Sequence, residues 1–236
     1  LNNIIFFGPP GAGKGTQAKK ISEIFALSHL STGEILRKKI LDKDKLAQEL
    51  KEIMSSGKLV SDEILNSIVS SRLNKEASKG FILDGYPRTL EQSQFLNDYL
   101  KKSSQNIHYI FNIEISFNIL KDRIIKRSSE ESRDDDKIEV IETRYNEYLN
   151  TTEKVSLFYK ENKPEIFYEI DGTLQINEIT EKIEQILKKS WKTAKFINIF
   201  SWLIVYLSCI HPHSFFLDLF MARISGVNIP TNKKLI

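Results

Sequence analysis

The chain is poor in the residues that staple or chelate. Its 236 residues include one cysteine, Cys209, and four histidines. No intrachain disulfide is possible, and no Cys/His cluster with zinc spacing can be drawn. A reducing, cytoplasmic setting is the expectation that follows. Long apolar runs are scarce as well. The most extended, residues 196–210, covers 15 mostly apolar positions, short of the roughly 20 that a spanning helix needs. Continuing it to Met221 crosses His211-Pro212-His213 and Asp218, a helix breaker and a charge. The chain opens on a strand candidate, so no secretory leader is expected, and Leu1 in place of Met leaves room for residues before it.

A basic excess is also missing where a nucleic-acid groove would need one. The net charge is +3, but residues 190–236 hold five Lys or Arg against one Asp, which leaves the rest of the chain at about −1. Nucleic acid is therefore not an expected partner. Residues 1–189 contain no internal repeat and no low-complexity linker. With 28% charged and 41% hydrophobic residues, the composition is that of a globular domain able to bury a core.

What is present begins at residue 8. Gly8-Pro9-Pro10-Gly11-Ala12-Gly13-Lys14-Gly15-Thr16 follows the apolar run Ile4–Phe7 and precedes a helix-compatible stretch. This is the strand, glycine loop and helix order of a phosphate-binding loop. Gly11, Gly13 and Gly15 let backbone N–H groups converge on phosphate oxygens at a helix N-terminus. Lys14 brings a mobile point charge to the β- and γ-phosphates, and the Thr16 hydroxyl is available to phosphate or to a magnesium-bound water. Gly15 between Lys14 and Thr16 makes the motif a variant.

Strand and helix patterns alternate along the chain. Strands are expected at residues 3–7, 81–84, 107–113 and 166–170, all short, apolar and rich in Ile, Phe or Tyr. Helices are expected over 14–25, 43–54, 62–79, 89–101, 116–126, 137–161 and 175–189. The alternation predicts an α/β fold, a central parallel sheet flanked by helices.

Four further segments carry possible chemistry. In His29–Arg37, a turn opens a helix that presents Arg37 one turn later; Thr32 could contact a base or cap that helix, and His29 has no partner spacing for catalysis. In Gly80–Gln92, an apolar strand ends at Asp84, where open α/β sheets hold ligands and magnesium. Gly85 and Arg88 follow, and Gln92 carries an amide able to donate and accept. Arg123 and Arg127 share a helix face, Arg133 sits in the polar loop 128–136 and Arg144 lies on the next helix. That loop has the character of a lid, and planar guanidinium forks suit the charge of a transferring phosphoryl group as well as they suit a solvated surface. Gly57-Lys58-Leu59-Val60 reads as a helix C-cap with an apolar staple.

In this order and spacing, these segments resemble the adenylate kinase family, ATP:AMP phosphotransferases, over residues 2–188. The resemblance implies a P-loop nucleoside monophosphate kinase domain over 1–189, an AMP-binding insertion at 31–60 and a short lid at 123–134 that lacks a zinc-carrying insert. It implies Mg2+ as cofactor, ATP, AMP and ADP as partners, and a monomer. Gly11, Ala12, Gly13, Lys14, Gly15, Thr16, Arg123 and Arg127 would bind ATP. Thr32, Arg37, Lys58, Leu59, Val60, Gly85, Arg88, Gln92, Arg133 and Arg144 would bind AMP, with Gln92 reading adenine. Lys14, Arg88, Arg127, Arg133 and Arg144 would act on the transferring phosphoryl group, and Asp84 would hold Mg2+ through water.

Some positions depart from the family pattern. Glu34 stands where Asp is usual, Ser128 and Ser132 where glycines are common, and Asp134 where an apolar residue is common. Stiffer lid hinges and slower closure or product release are expected from the serines. A UMP/CMP kinase is disfavoured by Thr32, Thr89 and Gln92, whereas GTP as donor fits the same acceptor residues. A non-catalytic nucleotide-binding module tethered by its tail conflicts with the intact Lys14, Asp84 and arginines. The segment 190–236 is not inherited from the family and is expected to be an extension with an apolar stretch at 196–210, read as a membrane-surface anchor, a packing arm or non-native sequence, with membrane association the less favoured reading.

Overall fold

The computed structural model describes residues 2–42, 45–76, 79–130 and 138–189. Five strands form one parallel sheet in the order β2-β3-β1-β4-β5, with β1 at Asn2–Phe7, β2 at Ser28–Ser31, β3 at Gly80–Asp84, β4 at Tyr109–Glu114 and β5 at Phe167–Asp171. The register is direct, with Ile4 opposite Ile82 on one side and Tyr109 on the other. All of β1 and β3 is buried. This is why Ile4-Ile5-Phe6-Phe7 and Phe81-Ile82-Leu83 are unbroken apolar runs: helices cover both faces of the sheet, so no alternation is needed.

The helices are α1 (Lys14–Phe25), α2 (Thr32–Ile40), α3 (Lys45–Ser55), α4 (Asp62–Glu76), α5 (Leu90–Lys102), α6 (Phe117–Glu130), α7 (Ile138–Glu147), α8 (Glu153–Asn162) and α9 (176–189). The sequence foresees a continuous helix over 137–161. The structure instead inserts a π-helical turn, Tyr148–Thr152, between α7 and α8. Such a turn widens the helix locally and re-aims its side chains, and Tyr148 and Thr152 both reach the main cleft. The β2 strand was not expected. Ser28-His29-Leu30-Ser31 is short and polar, with only Leu30 and Ser31 buried. It is a strand because β3 offers it a free edge, pairing Ser28 with Phe81 and Ser31 with Asp84, a tertiary cause that no local pattern reveals.

The largest core cluster joins Ile5, Phe7, Leu30, Leu83, Leu96 and Ile110 across the sheet. A smaller one, Leu120, Ile124 and Ile141, ties α6 to α7. Helix α1 is pinned to α9 by polar contacts: Thr180 Oγ1 donates to Gln17 Oε1 at 2.8 Å, and Gln17 Nε2 donates to the Ile176 carbonyl at 2.9 Å. The chain divides into two compact units, Leu1–Ile183 and Glu184–Ile236, and within the second only the end of α9 is described. Arg133, Ser132, Asp134 and the extension 190–236 lie outside the described residues. Among the described residues, no helix is long and apolar enough to cross a membrane.

Candidate active site

Strands β1, β2 and β3 end side by side, and the residues just beyond their carboxyl ends form a cleft. In an open α/β sheet this is where ligands bind, at the point where the strand order reverses. The lining includes Gly8 and Lys14 after β1, Thr32 and Arg37 after β2, and Gly85 and Arg88 after β3. Lys58, Leu59 and Val60 reach it from the turn after α3, and Arg144, Tyr148 and Thr152 from α7 and the π-turn. Nine of the residues singled out by sequence are thus brought to one cleft from five separate segments: Lys14, Thr32, Arg37, Lys58, Leu59, Val60, Gly85, Arg88 and Arg144.

The glycine loop runs from β1 into α1. Gly13 is the N-cap of α1 at φ 93°, with open space where a Cβ would stand. Its glycine is required by backbone conformation alone. At Gly15 a Cβ would make a tight 3.2 Å contact with Asp84 Oδ2, so the variant position of the loop is the one that faces the β3 carboxylate. Gly11 lies over Ile124 and Leu120 of α6.

Lys14 Nζ donates to the carbonyls of Gly8 and Pro9, each at 2.8 Å. Burial, opposed by Asp84 and assisted by Arg88, Arg144 and Arg127, lowers its pKa to about 8. Burial works against the charge on Asp84 too, but His29, Lys14 and Arg88 outweigh it and hold the carboxyl below its ordinary range. His29 Nε2 stands 3.9 Å from Asp84 Oδ2, too far for a hydrogen bond, so its influence is electrostatic. Lys14 therefore places a half-buried ammonium in the cleft lining, and Asp84 an ionised carboxylate buried near it, outside the lining. Among the described residues no group of three or more His, Cys, Asp or Glu is set to hold a metal. A lone ionised carboxylate beside a phosphate loop nonetheless fits Mg2+, which keeps its waters and takes most other ligands from substrate phosphates.

The other residues serve the wall in different ways. Ser31, not Thr32, caps α2. Thr32 Oγ1 instead donates to the Gly85 carbonyl at 2.9 Å, and Arg88 Nε donates to the same carbonyl at 2.8 Å. Gly85, at φ 78°, has no room for a Cβ, which would fall 2.9 Å from Thr32 Oγ1 and 3.0 Å from Arg88 Nη2. Arg37 packs over Gly33. Gly57, at φ 77°, closes α3, and the N–H of Lys58 reaches back to the Ile53 carbonyl, the expected C-cap. Gln92 is fully buried and does not line the cleft; its amide is held by Asp62 and by the Arg88 N–H. Ala12, Gly11, Gly13, Gly15, Thr16, Asp84, Arg123 and Arg127 also stand outside the lining, Thr16 on the exposed side of α1 and Arg123 and Arg127 on α6. Tyr148, Thr152 and Asp62 were not foreseen, because their position depends on the π-turn and on how α4 meets α5.

The sequence model of adenylate kinase matches residues 6–164, more than half of the chain. The chain belongs to the adenylate kinase family. Similar proteins include the adenylate kinase of Archaeoglobus fulgidus, 37% identical, with the match covering 79% of this chain and 98% of the relative. The adenylate kinase of Petrotoga mobilis is 38% identical over 78% of this chain and 97% of the relative. That of Agrobacterium fabrum is also 38% identical, over 79% and 98%. The chain is accordingly an adenylate kinase family enzyme, a P-loop α/β kinase that transfers phosphoryl groups between nucleotides. These relatives are matched almost end to end and leave about a fifth of this chain uncovered, the size of the extension 190–236.

Proposed function

We propose that the enzyme catalyses reversible, Mg2+-dependent transfer of a phosphoryl group from ATP to AMP, giving two ADP. The observation that carries this is the convergence of Lys14, Thr32, Arg37, Arg88 and Arg144 on one cleft. In this reading the kinase domain spans 1–189, with the AMP-binding insertion at 31–60 and the lid at 123–134. The loop Gly11–Thr16 takes the ATP phosphates, with Arg123 and Arg127 above them. Thr32, Arg37, Lys58–Val60, Gly85 and Arg88 take AMP, Gln92 reads its base, and Arg133 and Arg144 close over the reacting phosphate. Asp84 would hold Mg2+ through water, and the bound ion would supply neutralisation of phosphate charge. The enzyme works as a monomer in the reducing cytoplasm.

No general base is required. A phosphate oxygen of AMP is already an anion; it attacks the γ-phosphorus while the bond to the β–γ bridging oxygen breaks and ADP leaves with that electron pair. The chain's own contribution is alignment, charge neutralisation and exclusion of water. Lys14 leaves the Gly8 and Pro9 carbonyls to follow the moving charge, and the arginine forks meet the equatorial oxygens. Coupled assays with AMP as acceptor and ATP or GTP as donor test the donor assignment. At least tenfold higher kcat/KM with ATP is expected, and equal use of GTP contradicts it.

Two effects follow from the site. Phosphate binding restores the charged form of Lys14. Near pH 8, where about half of the free enzyme lacks that proton, ATP binding should take up roughly half a proton more in the wild type than in Lys14→Met. At pH 6.5 the difference should vanish. Calorimetry in buffers of different ionisation enthalpy reads this directly, and equal uptake by both proteins at pH 8 contradicts it. For stability the sign is opposite to that of a paired lysine: the unfolded chain binds more protons between about 8 and 10.5, so Lys14 makes stability rise with pH across that window.

Gly85→Ala forces a Cβ into Thr32 and Arg88 at a left-handed backbone position. It should cost about 1–3 kcal/mol of stability and raise the KM for AMP while sparing that for ATP. Urea unfolding and initial rates check both; an unchanged AMP KM contradicts the assignment.

A further inference from the structure

Gln92 has its amide engaged at both ends. Nε2 donates to Asp62 Oδ1 at 2.7 Å, and Oε1 accepts from the backbone N–H of Arg88 at 2.7 Å. Neither neighbour is ambiguous in polarity: an ionised carboxylate only accepts and a backbone N–H only donates. The amide therefore has one permitted orientation. Inverting it would set an NH2 against an N–H and a carbonyl against a carboxylate, two repulsive contacts in a buried site. The second oxygen of Asp62 accepts from Thr89 Oγ1 at 2.7 Å, and Thr89 Oγ1 in turn caps α5 by accepting from the Gln92 N–H at 3.1 Å. One carboxylate at the start of α4 thus fixes both the Gln92 side chain and the helix that carries it.

The position is next to the cleft. Asp62 lies two residues after Val60 and three before Leu65, and Arg88 is the other partner of Gln92; all three neighbours line the cleft. A glutamine amide has two N–H donors and two carbonyl lone pairs. Asp62 and Arg88 use one of each, which leaves one donor and one acceptor in fixed order. That pair complements the 6-amino group and N1 of adenine, a donor beside an acceptor on the Watson–Crick edge. A 6-oxopurine presents the reverse, a carbonyl beside a protonated ring nitrogen, and would need the inverted amide.

We propose that Asp62 determines specificity for the acceptor base, holding the Gln92 amide in the orientation that accepts adenine and rejects 6-oxopurines. Asp62 is a positioning residue that acts through Gln92, and the proposal rests on the reading of the cleft as an AMP site.

The test is steady-state kinetics with AMP and with inosine 5′-monophosphate as acceptors at saturating ATP, on wild type, Asp62→Ala, Gln92→Met and the double variant, with thermal unfolding alongside. In Asp62→Ala the amide is free to turn. The preference for AMP in kcat/KM should fall about 10- to 100-fold, carried by the AMP KM, with the ATP KM within about twofold of wild type. In the Gln92→Met background, Asp62→Ala should change the preference by less than about twofold, because the group it acts through is gone. An unchanged preference in folded Asp62→Ala overturns the proposal. So does a further loss in the double variant, which would mark a merely structural role.

If Asp62→Ala does not fold, the side-chain amide signal of Gln92 in wild-type NMR spectra decides. It should stay protected from solvent exchange in the AMP complex, and free exchange there overturns the proposal. A wild type that uses both acceptors equally overturns the AMP reading itself, whereas a selective wild type with an equally selective Asp62→Ala overturns only the role of Asp62.

Discussion

Replacing Lys14 by Met should lower kcat by roughly 10³-fold and leave the fold standing. Methionine comes close to the lysine stem in length and removes the ammonium, its charge and its donors together. In the free enzyme that charge is a burden: the side chain is half-buried, its pKa is drawn down to about 8, and the ammonium leans on two loop carbonyls. Losing it relieves desolvation but leaves the Gly8 and Pro9 carbonyls short of a donor, so the two effects on stability offset. In the proposed mechanism the same charge has no substitute in the transition state, because it would act in a water-excluded site on the phosphoryl group in flight. Turnover and a thermal melt on the same preparation separate the two. A variant with turnover within tenfold of wild type would show that Lys14 is not at the reacting phosphates.

Arg88→Ala should reduce kcat/KM for AMP by about 10²–10³-fold, with ATP binding little changed. The guanidinium is held at the cleft wall by its Nε, which donates to the Gly85 carbonyl, the same oxygen that Thr32 engages. Arg88→Lys should recover less than a tenth of the loss, since a lysine restores the charge but neither the planar fork nor the anchor. Because Arg88 also donates its backbone N–H to Gln92, the alanine variant keeps that contact and isolates the side chain. Initial rates over an AMP series check this; an effect confined to the ATP KM would move Arg88 to the donor side.

The sheet and the glycine loop were legible because their causes are local. Doubly buried parallel strands must be apolar throughout, and a phosphate loop must place glycines and a lysine between a strand and a helix. The edge strand Ser28–Ser31 was not legible, since four half-polar residues become a strand only when β3 lends its edge. The π-turn was also hidden: residues 137–161 have an uninterrupted helical period, and nothing in Tyr148-Leu149-Asn150-Thr151-Thr152 marks an extra residue in the turn. In the site, Lys14, Arg37, Arg88 and Arg144 could be read as one cluster only through family spacing; the fold gathers them by ending three strands at one level. Gln92 shows the opposite limit. Its type suggested base recognition, but its grip by Asp62 depends on α4 meeting α5, and no spacing in the sequence announces that pair.

Glu34, one of the departures from the family pattern, is exposed on the first turn of α2, with its N–H toward the Ser31 cap. Its longer side chain therefore enters solvent, and the buried carboxylate near the phosphate loop is Asp84. Ser128 Oγ donates to the Ile125 carbonyl at 2.7 Å, so this serine turns its hydroxyl back onto the helix where a glycine would leave the backbone open.

The cleft is proposed to transfer a phosphoryl group to AMP. The most direct test is coupled phosphotransfer by the purified full chain with Mg2+ and ATP, offering AMP, UMP, CMP and GMP as separate acceptors. The expected result is ADP formation with AMP at least about 100-fold faster in kcat/KM than with any other acceptor. Equal or better use of a pyrimidine monophosphate, or no turnover with AMP in protein shown to be folded, would contradict it.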